Sequence, residues 1–311
     1  MAAGSIGKKL ITATCLIAVI AAVGGLYTVA LKGARPPMRV AYHQTPTLAE
    51  SAYISGEDVA SAVRLDQAFE RMGYRLDAVR DGQSEVPPLF LAQVPADLDD
   101  LPDSDTKKAV FLRVMLPLVL AADEEIATDR AQLLELAGKI RAHQAVTPAE
   151  RDWLGDLARR YEVEDGNLTT LIARVDVVPP SLALAQSAEE SGWGTSKLVR
   201  RSQNLFGHTV EVAGDETAMR NFTTLYEAVR AYVHNLNTHK AYDELRRARA
   251  TARSRGNLPD GHVLASALHG YSERGGAYVE TIRALIRRND LARYDHARLG
   301  RALPGRMASA S

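Results

Sequence analysis

Apolar and polar positions follow different periods in different parts of the chain, and those changes divide it. The first run has no period at all. From Leu10 to Leu31 every one of 22 residues is uncharged, with Lys8 and Lys9 before the run and Lys32 after it. As a helix it would span roughly 33 Å, close to the hydrocarbon thickness of a bilayer. A cleaved signal peptide usually has an apolar region of only about 7–15 residues, so the length predicts an uncleaved transmembrane helix within residues 1–32, with a signal peptide as the alternative. Lys8 and Lys9 on one side and Lys32, Arg35 and Arg39 on the other are too evenly matched to set its orientation.

Residues 33–105 read as a spacer with one helix, capped by Asp58 and carrying Val59, Val63, Leu65, Phe69 and Met72. Beyond Gly82, prolines at 87, 88, 95 and 102 forbid a continuous helix. Leu89-Phe90-Leu91 is too apolar for a free linker and leaves open a strand-like arm packed on the next domain. From Asp105 to Gln144 the pattern is helical. Val110, Leu112, Val114, Leu116, Leu118 and Leu120 are too dense for one exposed face, and Pro117 predicts a kink or a division into two helices. Thr147-Pro148-Ala149-Glu150 opens the next helix: threonine caps, proline suits the first turn and the glutamate reaches back to the cap N–H. Trp153, Leu154, Leu157, Ala158 and Tyr161 share its inner face. Residues 106–178 thus form a helical accessory region that ends at Val178-Pro179-Pro180-Ser181.

Residues 179–290 form the next domain. Ser181–Glu190 predicts a short helix of small residues that lets neighbouring helices come close, with Gln186 and Glu190 four apart on one face. Ser191-Gly192-Trp193-Gly194 turns the chain sharply beside a large ring. A carboxylate at a helix end next to an aromatic wall favours its neutral form, as an acid catalyst near neutral pH requires. His208–Asn221 alternates weakly and suits a β-hairpin turning at Ala213-Gly214-Asp215. Thr224-Leu225-Tyr226-Glu227 is a second capping box, opening a helix whose core stripe is Leu225, Ala228, Val229, Tyr232, Val233 and Leu236. The charged run from Tyr242 to Arg249 reads as a solvated helix, Tyr278 to Arg288 as a last helix packed through Ile282, Leu285 and Ile286, and residues 291–311 as a fraying tail.

Composition narrows the chemistry. The 311 residues carry 38 basic and 38 acidic side chains, a balance that gives no support to nucleic-acid binding. The single cysteine, Cys15, falls inside the first apolar run, so the rest of the chain has no disulfide, redox pair or thiolate metal site. The eight histidines show no HExxH, and there is no phosphate loop or GxSxG elbow.

Ala185-Gln186-Ser187-Ala188-Glu189-Glu190-Ser191-Gly192-Trp193-Gly194-Thr195-Ser196 resembles the signature of bacterial endo-β-N-acetylglucosaminidases of glycoside hydrolase family 73. Asn204-Leu205-Phe206-Gly207 resembles the family's second block. The arrangement is most similar to the Bax-like branch, through Val178–Leu182, Tyr271-Ser272-Glu273-Arg274-Gly275 and the leader Phe111–Leu120, and covers residues 85–290. The resemblance implies a mainly α (α+β) protein, with a lysozyme-like helical domain and a small β-lobe, that hydrolyses the glycan strands of peptidoglycan without metal or cofactor. It implies Glu190 as catalytic acid and a second carboxylate from the β-lobe, with Glu211 ranked ahead of Glu216 and Asp215 behind them. Tyr271 would meet the substrate acetamido group or the attacking water, and Gln186, Trp193, Asn204 and Phe206 would line the sugar. Glu189 stands where the family usually has an apolar residue and is expected to point to solvent. Glu273 and Arg274 are expected to form a local ion pair. Such a substrate places the bulk of the chain in the periplasm, held by a single-pass inner-membrane helix. A lytic transglycosylase and a non-catalytic wall-binding scaffold are the alternative readings.

Overall fold

The computed structural model describes residues 61–211 and 217–301. The apolar run Leu10–Leu31 lies outside the described residues. Among those described, no helix is long and apolar enough to cross a membrane. They form a mainly helical protein with one two-stranded sheet.

The stretch expected to be a spacer is folded from residue 61 onward. Helices α1 (Ala62–Arg71) and α2 (Leu76–Arg80) are followed by an irregular arm in which Val86, Leu89, Phe90, Leu91, Val94, Leu98 and Leu101 all enter the main core. The prolines stop a helix there, as expected, but the apolar residues between them have too much surface to leave in water. Asp97 on this arm accepts the Ala62 N–H at the start of α1 (2.7 Å), and Ala92 offers its carbonyl to Leu225 (3.0 Å).

Helix α3 (Ser104–Arg141) is a single element of 38 residues, capped by Asp103, which accepts from the Thr106 N–H. It runs through Pro117 without dividing. Every residue from Val110 to Ala122 is buried, so neighbours on all sides hold the helix together where the proline removes a backbone hydrogen bond. Arg113, on this buried stretch, pairs with Asp66 (2.8 Å) and Glu70 of α1.

Past α3 the chain builds a small second core. Helices α4 (Pro148–Arg160) and α5 (Leu168–Arg174) bury Leu157, Tyr161, Val163, Leu171 and Val175 against Leu133, with Trp153 packed at its edge. The Thr147–Glu150 capping box forms in both directions.

The main core then collects helix α6 (Pro180–Ser191), short α7 (Lys197–Ser202), the hairpin β1 (Thr209–Glu211) and β2 (Thr217–Met219), and helices α8 (Leu225–Thr238), α9 (Asp243–Ser254), α10 (Gly261–Leu264) and α11 (Gly276–Arg288). The strands are antiparallel, with Val210 opposite Ala218. Their expected turn lies outside the described residues. Helix α6 packs against α3, α10, α11 and the 3-10 turn Leu291–His296, and α8 packs on α3.

Two expectations for the C-terminal half change. Helix α9 is not a solvated charged helix, because Arg246 and Arg249 point inward. Arg249, fully buried, donates to the carbonyls of Ala173, Asp176 and Val177 at the end of α5, and Arg246 to those of Leu236 and His239 at the end of α8. Guanidinium groups suit this work, since their several donors can satisfy the orphan carbonyls of a helix C-terminus. Nor does the tail fray at once: Leu291 and Tyr294 are fully buried, and Val86 exchanges backbone hydrogen bonds with Arg298 and Gly300 (2.8 and 2.7 Å).

Candidate active site

Helix α6 delivers Glu190 to the site. Its residues from Pro180 to Ala188 are all buried, and Ala183, Ala185, Ser187 and Ala188 keep it thin enough to pass between α3 and α11. Asp295 caps it from a distance, accepting from the Ser181 N–H (2.7 Å) and hydroxyl (2.8 Å). At the other end Gly192, Trp193 and Gly194 all have positive φ (57, 58 and 78°), an uncommon left-handed run that ends the helix abruptly. Ser191 pins the turn, its hydroxyl donating to Ser187 O (2.5 Å) and accepting from the Gly194 N–H (2.8 Å).

This turn packs Trp193 onto α3. Its ring meets Phe111 edge-on at 5.8 Å, with the Lys108 ammonium 5.6 Å from the indole centroid. Tyr278, Tyr271 and Tyr242 are the aromatic side chains that act on the acid electrostatically. Gly194 explains the geometry: a Cβ there would stand 2.9 Å from Phe111 and 3.1 Å from Leu98 and Val94. Gly194→Ala is therefore expected to lose roughly 2–4 kcal/mol through the clash and left-handed strain. Gly192→Ala, whose nearest atom would be 3.4 Å away, should lose only the strain, roughly 1–2 kcal/mol. Thermal melts of the two variants would check this order.

Glu190 is partly buried at the negative end of the helix dipole. Burial pushes its carboxyl up; the nearby Tyr278 hydroxyl lowers it, Glu189 raises it and Arg274 lowers it, with a net rise. Glu189 is not left to solvent. It accepts from Arg274 at 2.6 Å, and Arg274 also donates to Thr281 (2.8 Å). The ion pair expected within Glu273-Arg274 thus forms across the site, because α11 brings Arg274 over the last turn of α6.

Behind Glu190 lies a closed polar chain. The Tyr232 hydroxyl donates to Gln186 Oε1 (2.8 Å), and Gln186 Nε2 donates to the Tyr278 hydroxyl (3.0 Å). Tyr278 stacks on Tyr271 (centroids 5.4 Å apart, planes 11° from parallel), and Tyr271 donates to the Phe206 carbonyl at 2.9 Å. Burial pushes the hydroxyls of Tyr232, Tyr271 and Tyr278 up, so all three keep their protons. The next residue, Gly207, closes the ring: a Cβ on it would be 3.5 Å from Glu190 Oε2, so its hydrogen leaves the carboxylate uncovered.

Glu190, Gln186, Phe206 and Tyr271 are thus brought together, but the residues expected along the sugar divide. Trp193 and Tyr271 are partly exposed, whereas Gln186, Asn204 and Phe206 are buried. Asn204 holds the root of the hairpin, donating to His208 O (2.7 Å) and Arg220 O (3.0 Å) and accepting from the His208 N–H (2.9 Å). Phe206 stacks on Tyr232 at 4.0 Å. Burial pushes the neighbouring His208 down to about 4, so it is neutral beside this stack. Glu211 ends β1 opposite Thr217, and Glu216 lies outside the described residues. In the sequence Tyr278 reads only as part of a packing helix. Its spacing after Tyr271 is the one signal that could have found it.

A carboxyl whose neutral form burial favours, with uncharged hydrogen-bonding groups behind it, meets what acid catalysis requires of a side chain. Comparisons with known proteins give the family. Residues 168–291 match the Glucosaminidase family model, described as mannosyl-glycoprotein endo-beta-N-acetylglucosaminidase. Over 206 residues the chain is 35% identical to Protein bax of Escherichia coli (strain K12), covering 62% of this chain and 73% of that protein. No solved structure matches the chain. The chain belongs to the glucosaminidase family, as a Bax-like member, and so to the glycoside hydrolases.

Proposed function

We propose that this protein is an endo-β-N-acetylglucosaminidase that hydrolyses the β-1,4 bond on the reducing side of N-acetylglucosamine in peptidoglycan. The observation that carries the reading is the state of Glu190: partly buried, raised above the carboxylate range and backed by neutral hydroxyls and an amide. Its proton goes to the glycosidic oxygen as the C1–O bond breaks, and water adds to C1. The water's proton is taken by a β-lobe carboxylate, with Glu211 preferred over Glu216, or the substrate's own acetamido group stabilises C1 in its place. Trp193 and Tyr271, the partly exposed aromatics beside this end of α6, offer faces for the sugars. The buried Gln186, Asn204 and Phe206 support the site without touching substrate. A lysozyme-like arrangement of the helices around a cleft belongs to the same reading.

The apolar run Leu10–Leu31 supports an inner-membrane, single-pass protein with its catalytic part in the periplasm. Peptidoglycan digested in heavy-oxygen water tests the reaction. Labelled products with a reducing N-acetylglucosamine end are expected. Unlabelled 1,6-anhydro-muramyl ends would replace hydrolysis by transglycosylation, and no products from several wall types would indicate a scaffold.

A further inference from the structure

The polar chain behind Glu190 has a direction. Gln186 and Tyr232 are fully buried and Tyr278 nearly so, at 1% exposure, so each hydrogen bond must be satisfied by another member of the chain. Tyr232 gives its only proton to Gln186 Oε1, and the Gln186 amide nitrogen then occupies a lone pair of the Tyr278 oxygen. That leaves the Tyr278 hydroxyl free to donate. Were the amide reversed, Tyr278 would have to donate to Gln186 and would turn a lone pair toward the carboxylate. A carboxyl oxygen that accepts, which Glu190 offers in either protonation state, selects the first arrangement.

Position supports the same assignment. Gln186 and Glu190 lie one helical turn apart on α6, so a group bonded to the Gln186 side chain stands beside Glu190. The Tyr271 ring stacked on Tyr278 and the Arg274 guanidinium 5.9 Å from the Tyr278 centroid limit its lateral movement. We propose that Tyr278 is a positioning residue for Glu190: oriented by Tyr232 through Gln186, its hydroxyl ties down one carboxyl oxygen and leaves the other to carry the proton. The inference rests on Glu190 being the general acid. The charged and titratable groups facing that carboxyl are Glu189, Arg274, Tyr242, Tyr271 and Tyr278, and only Tyr278 is bonded to Gln186.

The full chain should be compared with Tyr278→Phe, Tyr232→Phe and Glu190→Gln by wall-digestion kinetics across pH, with circular dichroism and melting as folding checks. Tyr278→Phe is expected to lower kcat roughly 10-fold with KM within about twofold. It should also move the alkaline limb of the profile to higher pH, because a donor that favours the ionised carboxylate is gone. Tyr232→Phe, one member further back, should move the limb in the same direction by less. A merely structural role would lower the melting temperature without moving the limb.

A folded Tyr278→Phe with kcat within twofold of wild type and an unmoved limb overturns the proposal. If Tyr278→Phe does not fold, an unmoved limb in Tyr232→Phe overturns it instead. Activity surviving in Glu190→Gln would show that the acid itself was misassigned. An inactive Glu190→Gln beside an unchanged Tyr278→Phe would leave the acid in place and remove only its positioning.

Discussion

Glu190→Gln is expected to abolish nearly all glycan cleavage while leaving the fold intact, with a rate loss of roughly 10²–10⁴ for a positioned general acid. Glutamine preserves the shape of the side chain and removes a carboxyl that burial already disfavours as a charge. The helix should therefore lose nothing, and melting should be unchanged or slightly higher. In the wild type the acid works only while protonated, so activity should fall as pH rises through its elevated pKa. Circular dichroism with product counts from purified walls would check the variant. A folded protein retaining more than about a tenth of the wild-type rate would remove Glu190 from its role.

Asp176→Ala is expected to have the largest effect on stability, about 3–5 kcal/mol, as for removal of one partner from a buried ion pair. The side chain is 2% exposed and faces Arg253 at 2.8 Å, Arg130 at 3.5 Å and Arg249 at 3.8 Å. Burial alone pushes Asp176 up, but Arg249, Arg253 and Arg130 outweigh it and hold the carboxyl below its ordinary range. Arg249, itself lowered to about 10 by burial, would lose a buried counterion. A depressed carboxylate contributes stability above its unfolded pKa and loses it as pH falls through the folded value, so the gap between wild type and variant should narrow on strong acidification. Urea unfolding at neutral and acid pH would measure both effects, and an equal gap at both would separate the loss from the Asp176 charge.

The arginines of α9 show where sequence periodicity stops being informative. Arg246 and Arg249 look like solvated charges when read in line, because the partners of Arg249 at the end of α5 are distant in sequence and those of Arg246 lie on the preceding helix, which only the fold turns back toward it. The arm around Leu89–Leu91 misleads for a related reason: prolines mark the absence of a helix but do not distinguish a linker from a packed irregular segment. Where a rule is local, the sequence reading serves well. The Thr147–Glu150 box, the α8 stripe and the paired strands around 209–219 all follow from neighbours within one or two turns. Glu190 is legible through its motif, and the upward push on its carboxyl follows from the burial of a helix end. Tyr278 is not, since its position beside Gln186, 92 residues earlier, is set by the packing of α11 on α6. Pro117 misleads because its usual effect assumes a helix without neighbours on every side.

The short pairing of Val86 with Arg298 and Gly300 fastens the arm after α2 to the last described residues. The family match spans residues 168–291, yet the core it shares reaches back to Ala62 and forward to Tyr294. Catalytic unit and folding unit are therefore different objects. A fragment cut at the edges of the recognisable motif would carry every residue named around Glu190 and lack the α3 face and the arm against which α6 is seated. Shortening such a protein from either end would remove part of the enclosure as well as chain, because the core spans Ala62 to Tyr294.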